Sequence, residues 1–260
     1  MDIRVDINTT SNRLLNFLSP ENRAVLAQHM ERVPMVVRHT LEKPNEPITS
    51  VYFPEDGVAS VVGTSKAMGE LEIGMIGKEG MTGFMVVLGN GQTPLHTYVQ
   101  VAGSALVIGA ENLRNAIAES PTIRDLLLLY VQVFVIQTSQ TALANAKAMV
   151  AQRLARWLLM CEDRMTSKHI PITHEFLSVM LGVQRSGVTI ALSELESRSL
   201  IKGKRGLISI LDRPSLIQLS NGTYGVAEKE YERVFASALQ ETEPQNKCEG
   251  PTQLDGRSAQ

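Results

Sequence analysis

The sequence predicts an α+β protein of three parts: an N-terminal antiparallel β-roll of the jelly-roll type, one long helix, and a C-terminal pair of short helices followed by a β-hairpin. Short β-type runs separated by Gly and Pro fill the first part, an apolar helical segment the second, and two helical segments around a Gly open the third. The predicted divisions of the 260 residues are 11–119 (β-roll), 120–146 (long helix), 147–220 (C-terminal domain) and 221–260 (a C-terminal extension, with about the last 20 residues disordered).

The β-roll is predicted between Val33 and Ala110. Its β-type runs are MVVRHTL, SVYF, ASVVGT, LEIGMI, FMVVLG, TYVQVAG and ALVI. Gly and Pro punctuate them at short intervals, which is typical of an antiparallel barrel or sandwich. We expect no helix of useful length within this span, and short helices broken at Ser19-Pro20 before it.

A long helix is predicted from Pro121 to Asn145, with Ser120 as its N-cap. Its centre, LLLLYVQVFVIQ, is apolar nearly all round, so the helix must be buried on more than one side. One face can cover the β-roll, and the same helix of a second subunit is the simplest cover for the other; a central helix of a monomer is the alternative. The predicted dimer contacts are Leu127, Tyr130, Val131, Phe134, Val135 and Thr138.

The C-terminal domain carries the most specific pattern. Thr173 can cap one helix, Gly182 can end it, and a second helix begins around Gln184 with inward-facing residues at i, i+3, i+4 and i+7. The following LESRSLIKGKRGLISILD predicts a helix end, a strand, a basic turn and a second strand. A helix pair around a Gly turn, followed by a hairpin with a basic tip, is typical of a DNA-binding winged helix-turn-helix.

The second helix of this pair supplies the candidate DNA contacts. Arg185 is the candidate for a base contact, because Arg pairs bidentately with guanine in the major groove, and Ser186 and Thr189 can also contact bases. Candidate contacts to the DNA backbone are Thr173, Gln184, Gly187, Lys202, Lys204 and Arg205.

Charge and cysteine content narrow the function further. The net charge is −2, yet residues 147–213 contain 11 Lys and Arg against 6 Asp and Glu, a small excess that fits a solvated face as well as a nucleic-acid surface. The two cysteines, Cys161 and Cys248, lie far apart and support neither a disulfide framework nor a zinc site; Cys161 fits a core position.

The N-terminus lacks a signal peptide, and the apolar run at 126–136 is shorter than the ~20 residues of a membrane span. We therefore expect a cytoplasmic protein without a membrane segment.

The order of these parts resembles the Crp/Fnr family of bacterial transcription regulators over roughly residues 14–220. The strongest match is ITHEFLSVMLGVQRSGVTIALSELESRSLI with ILDRPSL, while VYFPEDGVAS and IGKEGMTGFMVVLG resemble the barrel of a subgroup. The resemblance implies a homodimeric, non-catalytic regulator whose β-roll senses a signal and whose C-terminal domains read a roughly palindromic DNA site. An activator would also contact RNA polymerase, although no short motif here announces that surface.

The chain departs from the family in its sensor. Relatives that bind cyclic AMP have a Gly-Glu pair and an Arg-Ser pair; here Phe84 follows Gly83, and Leu95-His96 stand where Arg-Ser would be. No Arg or Lys occurs between Glu79 and Ala110, so a phosphate buried there would lack a cationic partner. We expect no cyclic AMP, and place any unidentified effector around Gly83, Phe84, Leu95 and His96.

Other family cofactors are also not expected. The iron–sulfur cluster of oxygen-sensing relatives is excluded, because no cysteine precedes Cys161. His96 is assigned as an ordinary strand residue and not as a haem ligand. No metal site is predicted.

Three alternatives stay open. The protein can be a dimeric regulator that needs no ligand and is controlled by its abundance. A cupin-type enzyme would need clustered ligands, whereas the β-roll offers only His39 and His96. The helix-turn-helix can also be a protein-interaction module. If it does read DNA, the operator is not that of cyclic-AMP regulators, because Ser186 and Ile190 replace a Glu and a second Arg.

Overall fold

We describe a computed structural model of the chain, covering residues 7–67 and 69–241. The helices are α1 Arg13–Asn16, α2 Pro20–Ala27, α3 Phe84–Val87, α4 Ala110–Glu119, α5 Pro121–Lys147, α6 Val150–Arg164, α7 His174–Leu181, α8 Arg185–Ser197, α9 Arg213–Leu219 and α10 Val226–Glu241. The strands are β1 Met30–Met35, β2 Thr40–Glu42, β3 Ser50–Ser65, β4 Gly69–Ile76, β5 His96–Gly109, β6 His169–Pro171, β7 Ile201–Lys204 and β8 Leu207–Ile210. The tail predicted to be disordered lies, from residue 242 onwards, outside the described residues.

The N-terminal sheet is antiparallel, with the order β1-β5-β3-β4, and β2 also pairs with β5. The predicted runs SVYF and ASVVGT merge into the 16-residue β3, which register shifts between Pro54 and Ala59 allow to bend. Gly57 lies in this bend with φ 87°, and a Cβ there would lie 2.6 Å from the carbonyl oxygen of Val101. Only glycine fits such a position. The antiparallel β-roll predicted from the sequence is therefore confirmed by the sheet order, and its strands are fewer and longer than the predicted runs.

Two predicted strands are wrong. MVVRHTL is divided between the end of β1 and the start of β2 by a turn at Val37 and Arg38, where Arg38 has φ 69°. FMVVLG forms the short helix α3, because Gly83 adopts a left-handed conformation (φ 65°) and turns the chain into a helical turn. Phe84, Val86 and Val87 are all buried in that turn, so no alternation between an inner and an outer face remains.

The long helix is confirmed as α5. Ser120 caps it by accepting a hydrogen bond from the backbone N–H of Ile123, and Pro121 occupies the first position. By length and composition alone, the 27-residue α5 is long and apolar enough for a membrane span, a property that the core helix of a soluble protein shares. In the structure, the face that includes Leu127 and Tyr130 is buried in the core of the β-roll.

The C-terminal domain joins α6–α9 to a three-stranded sheet of order β6-β8-β7. Thr173 caps α7, the left-handed Gly182 ends it, and Gln184 is the N-cap of α8, as the sequence predicts. The four residues predicted to face inward are buried: Val188, Ala191, Leu192 and Leu195.

The sequence analysis did not predict α10. This helix packs along α5, and its Phe235 stacks on Phe17 with ring centroids 4.6 Å apart. The signal was present, since Ala227, Tyr231 and Val234 recur at helical spacing and are all buried. The described part of the extension therefore contributes to the core and covers one side of α5.

The β-roll and the C-terminal domain meet at a buried polar cluster around Glu72 of β4. Trp157 of α6 donates its indole N–H to Glu72 Oε1 at 2.9 Å, and the Ser60 hydroxyl contacts both Glu72 and the side-chain oxygen of Gln100. Ser60 has one proton for two acceptors, so a protonated Glu72 that donates to Ser60 leaves the Ser60 proton for Gln100. Burial raises the pKa of Glu72 to about 7, in agreement with this arrangement.

The raised pKa predicts a pH dependence of folding. Because the folded pKa exceeds the unfolded one, the stabilisation is complete below the unfolded pKa and is lost as the pH rises towards about 7. Relative to Glu72→Gln, the native chain should lose up to about 3 kcal/mol of unfolding free energy between about pH 5 and about pH 8. Urea denaturation at several pH values measures this difference, with Glu70→Gln, at an exposed position on the same strand, as the control. Parallel pH curves for the native chain and Glu72→Gln would contradict the prediction.

Candidate nucleic-acid interface

The first two turns of α8 form an exposed polar surface. Helices α7 and α8 meet at 102°, an angle typical of a helix-turn-helix. The buried stripe of α8 faces α7 and α6, which leaves Arg185, Ser186 and Thr189 exposed on the outer side. Ile190 is 70% exposed beside them. The residues predicted to contact bases therefore share one accessible face.

The hairpin of β7 and β8 lies next to this face. Its two-residue turn, Arg205-Gly206, has φ values of 49° and 79°, as a type I′ turn requires. Lys202 and Lys204 are exposed on β7. Glu196 of α8 accepts a hydrogen bond from the backbone N–H of Gly203 at 2.8 Å and so fixes the hairpin to the helix.

A cleft of about 430 Å³ separates α8 from the hairpin. Thr173, Thr189, Lys204 and Arg205 line it, so three residues predicted to contact phosphate border it together with one predicted to contact bases. The other predicted backbone contacts are Gln184, exposed at the N-cap, and Gly187, inside the first turn of α8. Together they form one candidate surface for a polyanion.

Two of the candidate base contacts already have partners within the chain. Arg185 pairs with Glu175 of α7 at 3.1 Å, with both side chains more than 60% exposed. The Thr189 hydroxyl donates to the carbonyl of Arg185 and lies 3.3 Å from His174 Nδ1. A ligand that pairs with Arg185 must therefore compete with the carboxylate of Glu175.

The four residues predicted to form the effector pocket do not line one common pocket in the structure. Gly83 donates its N–H to Glu42 Oε1 at 2.7 Å, and Phe84 packs on Phe134 with centroids 4.7 Å apart. The chain's own buried carboxylate thus occupies the position beside Gly83. Leu95 is half-buried against the core, and His96 lies 3.2 Å from the Thr40 hydroxyl and lines a separate crevice beside α7.

The structure also corrects the predicted dimer face. Leu127, Tyr130, Val131 and Phe134 are buried within the subunit, because this face of α5 packs on the β-roll. Val135 is 56% exposed, and Thr138 is half-exposed. The accessible stripe, which we call the α5 seam, consists of Leu128, Gln132, Val135, Ser139 and Ala142.

Among the described residues, no three His, Cys, Asp or Glu side chains cluster as metal ligands would. Cys161 is buried, as predicted for a core residue, and its burial raises the pKa of the thiol.

The C-terminal domain matches a known family. Residues 152–219 match the family model of the Crp-like helix-turn-helix domain. A comparison with curated proteins found no match. The matched segment contains α8 and the hairpin, so the surface described above is that of a Crp-like helix-turn-helix domain.

Solved structures extend the similarity to the whole architecture. A Crp/Fnr-family protein from Eubacterium rectale has a TM-score of 0.62 at 18% identity, covering 81% of this chain and 98% of that one. A c-di-GMP-responsive global regulator from Xanthomonas campestris has a TM-score of 0.60 at 16% identity, covering 74% and 99%. A CRP-family transcriptional regulator from Thermus thermophilus has a TM-score of 0.61 at 17% identity, covering 73% and 97%. The chain thus has the fold of Crp/Fnr regulators, and the resemblance seen in the sequence is confirmed.

The ion pair between Glu175 and Arg185 predicts that Glu175→Gln tightens DNA binding. The substitution frees Arg185 and removes a negative charge beside the phosphates, and an exposed pair of this kind corresponds to about a twofold to fivefold change in Kd. Fluorescence anisotropy with a labelled duplex at low salt measures the effect. The control is Glu194→Gln, on the opposite side of α8, where the partner is Arg198. Equal or weaker binding by Glu175→Gln would show that the pair does not compete with DNA.

Proposed function

We propose that the protein is a cytoplasmic, homodimeric transcription regulator that binds a roughly palindromic DNA site through α8 and the β7–β8 hairpin. The observation that carries this proposal is the exposure of Arg185, Ser186 and Thr189 on one face of α8, beside a basic hairpin, within a Crp-like helix-turn-helix domain. In a helix-turn-helix of this type, the N-terminal residues of the second helix contact base edges.

The side chains of α8 suggest what is read. Arg185 has the donor geometry for the O6 and N7 atoms of a guanine, once released from Glu175. Ile190, 70% exposed, offers an apolar contact to a thymine methyl group. The proposed half-site therefore contains a guanine and a neighbouring thymine, and it lacks the contacts that a Glu and a second Arg would make.

The hairpin supplies affinity without sequence preference. Lys202, Lys204 and Arg205 are exposed at and beside its tip, and such side chains release counterions when they neutralise phosphates. The link between Glu196 and Gly203 keeps this charge at a fixed distance from the reading face.

The α5 seam provides the proposed dimer contact. Its residues follow one another at steps of four and three, which is the spacing of a two-helix coiled coil. Leu128 is 38% exposed and Val135 is 56% exposed, although both are apolar residues of the long helix. Pairing of two seams about a two-fold axis would bury them and present two α8 helices to successive turns of DNA.

Regulation by a small molecule is the proposed role of the β-roll and the elements packed on it. A ligand that prefers one placement of the C-terminal domain relative to the roll shifts the population towards it. Control by abundance is the competing account, and it predicts that no ligand changes the affinity for DNA.

Substitutions on the two DNA elements should have different signatures. Arg185→Ala should weaken binding to a duplex selected by the native protein by about tenfold to hundredfold and relax the preference at one base pair. Lys204→Ala should weaken binding to all sequences alike and reduce the salt slope by about one. Titrations at several salt concentrations, on selected and unrelated duplexes, separate these effects. DNA binding unchanged by Arg185→Ala would instead support a protein-interaction module.

The seam predicts the oligomeric state. Val135→Glu should weaken dimerisation at least about hundredfold, because the two-fold axis would bring two carboxylates together in a buried contact. Sedimentation equilibrium measures this, and Thr122→Glu, also exposed on α5 but outside the seam, is the matched control. A dimer that tolerates Val135→Glu would place the interface elsewhere.

A further inference from the structure

A cavity of about 470 Å³ lies where α5, α6, α10 and the loop after β4 meet. Its size is in the range of small-molecule sites. Tyr130 and Phe134 of α5, Glu79 of the loop, Arg164 of α6 and Tyr231 of α10 contribute to its walls. It is separate from the region of Gly83 and His96, neither of which lines it.

The charges around this cavity are balanced. Its lining contains four basic and four acidic residues. The buried Arg164 pairs with Glu79 at 2.8 Å, and Arg13 pairs with Glu232 at the rim. The equal numbers of basic and acidic residues leave no net charge in the lining to attract an ion, which favours a neutral occupant.

Four aromatic residues stand among the charged ones in the walls of the cavity: Tyr130, Phe134, Tyr224 and Tyr231. Tyr130 and Phe134 lie side by side with centroids 6.3 Å apart, and the Tyr231 ring lies under the guanidinium of Arg13. The hydroxyl of Tyr231 is buried and has no hydrogen-bond partner among the described residues, while the residue as a whole is 4% exposed. A buried donor of this kind is stabilised when a ligand supplies an acceptor.

We propose that this cavity binds a neutral aromatic molecule that carries a hydrogen-bond acceptor, and that its occupation changes the affinity for DNA. A side-chain movement that uncovers the Tyr231 hydroxyl lets it donate to the acceptor, while Tyr130 and Phe134, only 2% and 4% exposed, form the inner wall beside the ligand. Because Glu79 belongs to the β-roll and Arg164 to the first helix of the C-terminal domain, a ligand here contacts both and favours one relative placement. The regulatory step rests on the proposed function, whereas the binding step does not.

Prodan, a neutral naphthalene ketone whose emission shifts to the blue in apolar surroundings, is a suitable probe for the full-length protein. We expect one site per chain. Tyr231→Phe removes only the hydroxyl and should raise the Kd for Prodan about fivefold, without lowering the stability of the free protein. Ala227→Phe fills the cavity and should raise the Kd at least about tenfold. Tyr52→Phe, a half-buried tyrosine of β3 outside the cavity, is the control and should leave the Kd unchanged.

The outcomes separate the two steps. Prodan binding unaffected by both Tyr231→Phe and Ala227→Phe, or tighter binding at this site by the anionic dye anilinonaphthalene sulfonate, would overturn the site and its ligand class. Saturating Prodan should also change the Kd for DNA at least about threefold in the native protein and not in Ala227→Phe. Bound dye with an unchanged Kd for DNA would overturn the regulatory step. Absence of DNA binding both with and without saturating dye would refute the proposed function alone, because dye binding is measured without DNA.

Discussion

The attachment of α5 to the free edge of β4 decides the rest of the architecture. Gln137, buried on α5, accepts from the backbone N–H of Met75 at 2.8 Å and donates to the carbonyl of the same residue at 3.1 Å. A single side chain thus satisfies an edge position that would otherwise need another strand. Gly74 beside it leaves room for Phe134, whose ring would lie 2.6 Å from a Cβ at that position.

This attachment fixes what each face of α5 can do. With one face on the β-roll and another beneath α10, the seam from Leu128 to Ala142 is the stripe left exposed. The same orientation places Arg164 of α6 beside the loop after β4, where it pairs with Glu79 at 2.8 Å. The proposed dimer contact, the junction between domains and the cavity thus depend on a single helix register.

The sequence predicts local elements well and helix faces poorly. Ser120-Pro121, Thr173 and Gly182 are caps whose chemistry is local, and all of them lie where the pattern indicates. The sequence did not predict the orientation of α5, because LLLLYVQVFVIQ is apolar nearly all round. Which face becomes the core face depends on the packing of the helix against the β-roll. The steps of four and three in the α5 seam were the usable signal.

The candidate DNA surface was predicted more fully than the sensor. Base-reading side chains must be exposed at the start of a helix, so a capped helix after a Gly turn identifies them. Two contacts that define these sites join separate elements of the chain. Arg185 pairs with Glu175 of the preceding helix, and the backbone N–H of Gly83 donates to Glu42. The cavity beneath α10 combines residues from Arg13 to Glu232, and no local pattern predicts such a combination.

Selection of bound duplexes from random-sequence DNA tests the central claim most directly, namely that two copies of α8 read DNA about a two-fold axis. The account predicts an inverted repeat with half-sites about 10 base pairs apart, each containing a guanine whose enrichment disappears with Arg185→Ala. Recovery of no enriched sequence, or of a single unrepeated motif that Arg185→Ala leaves unchanged, would contradict it.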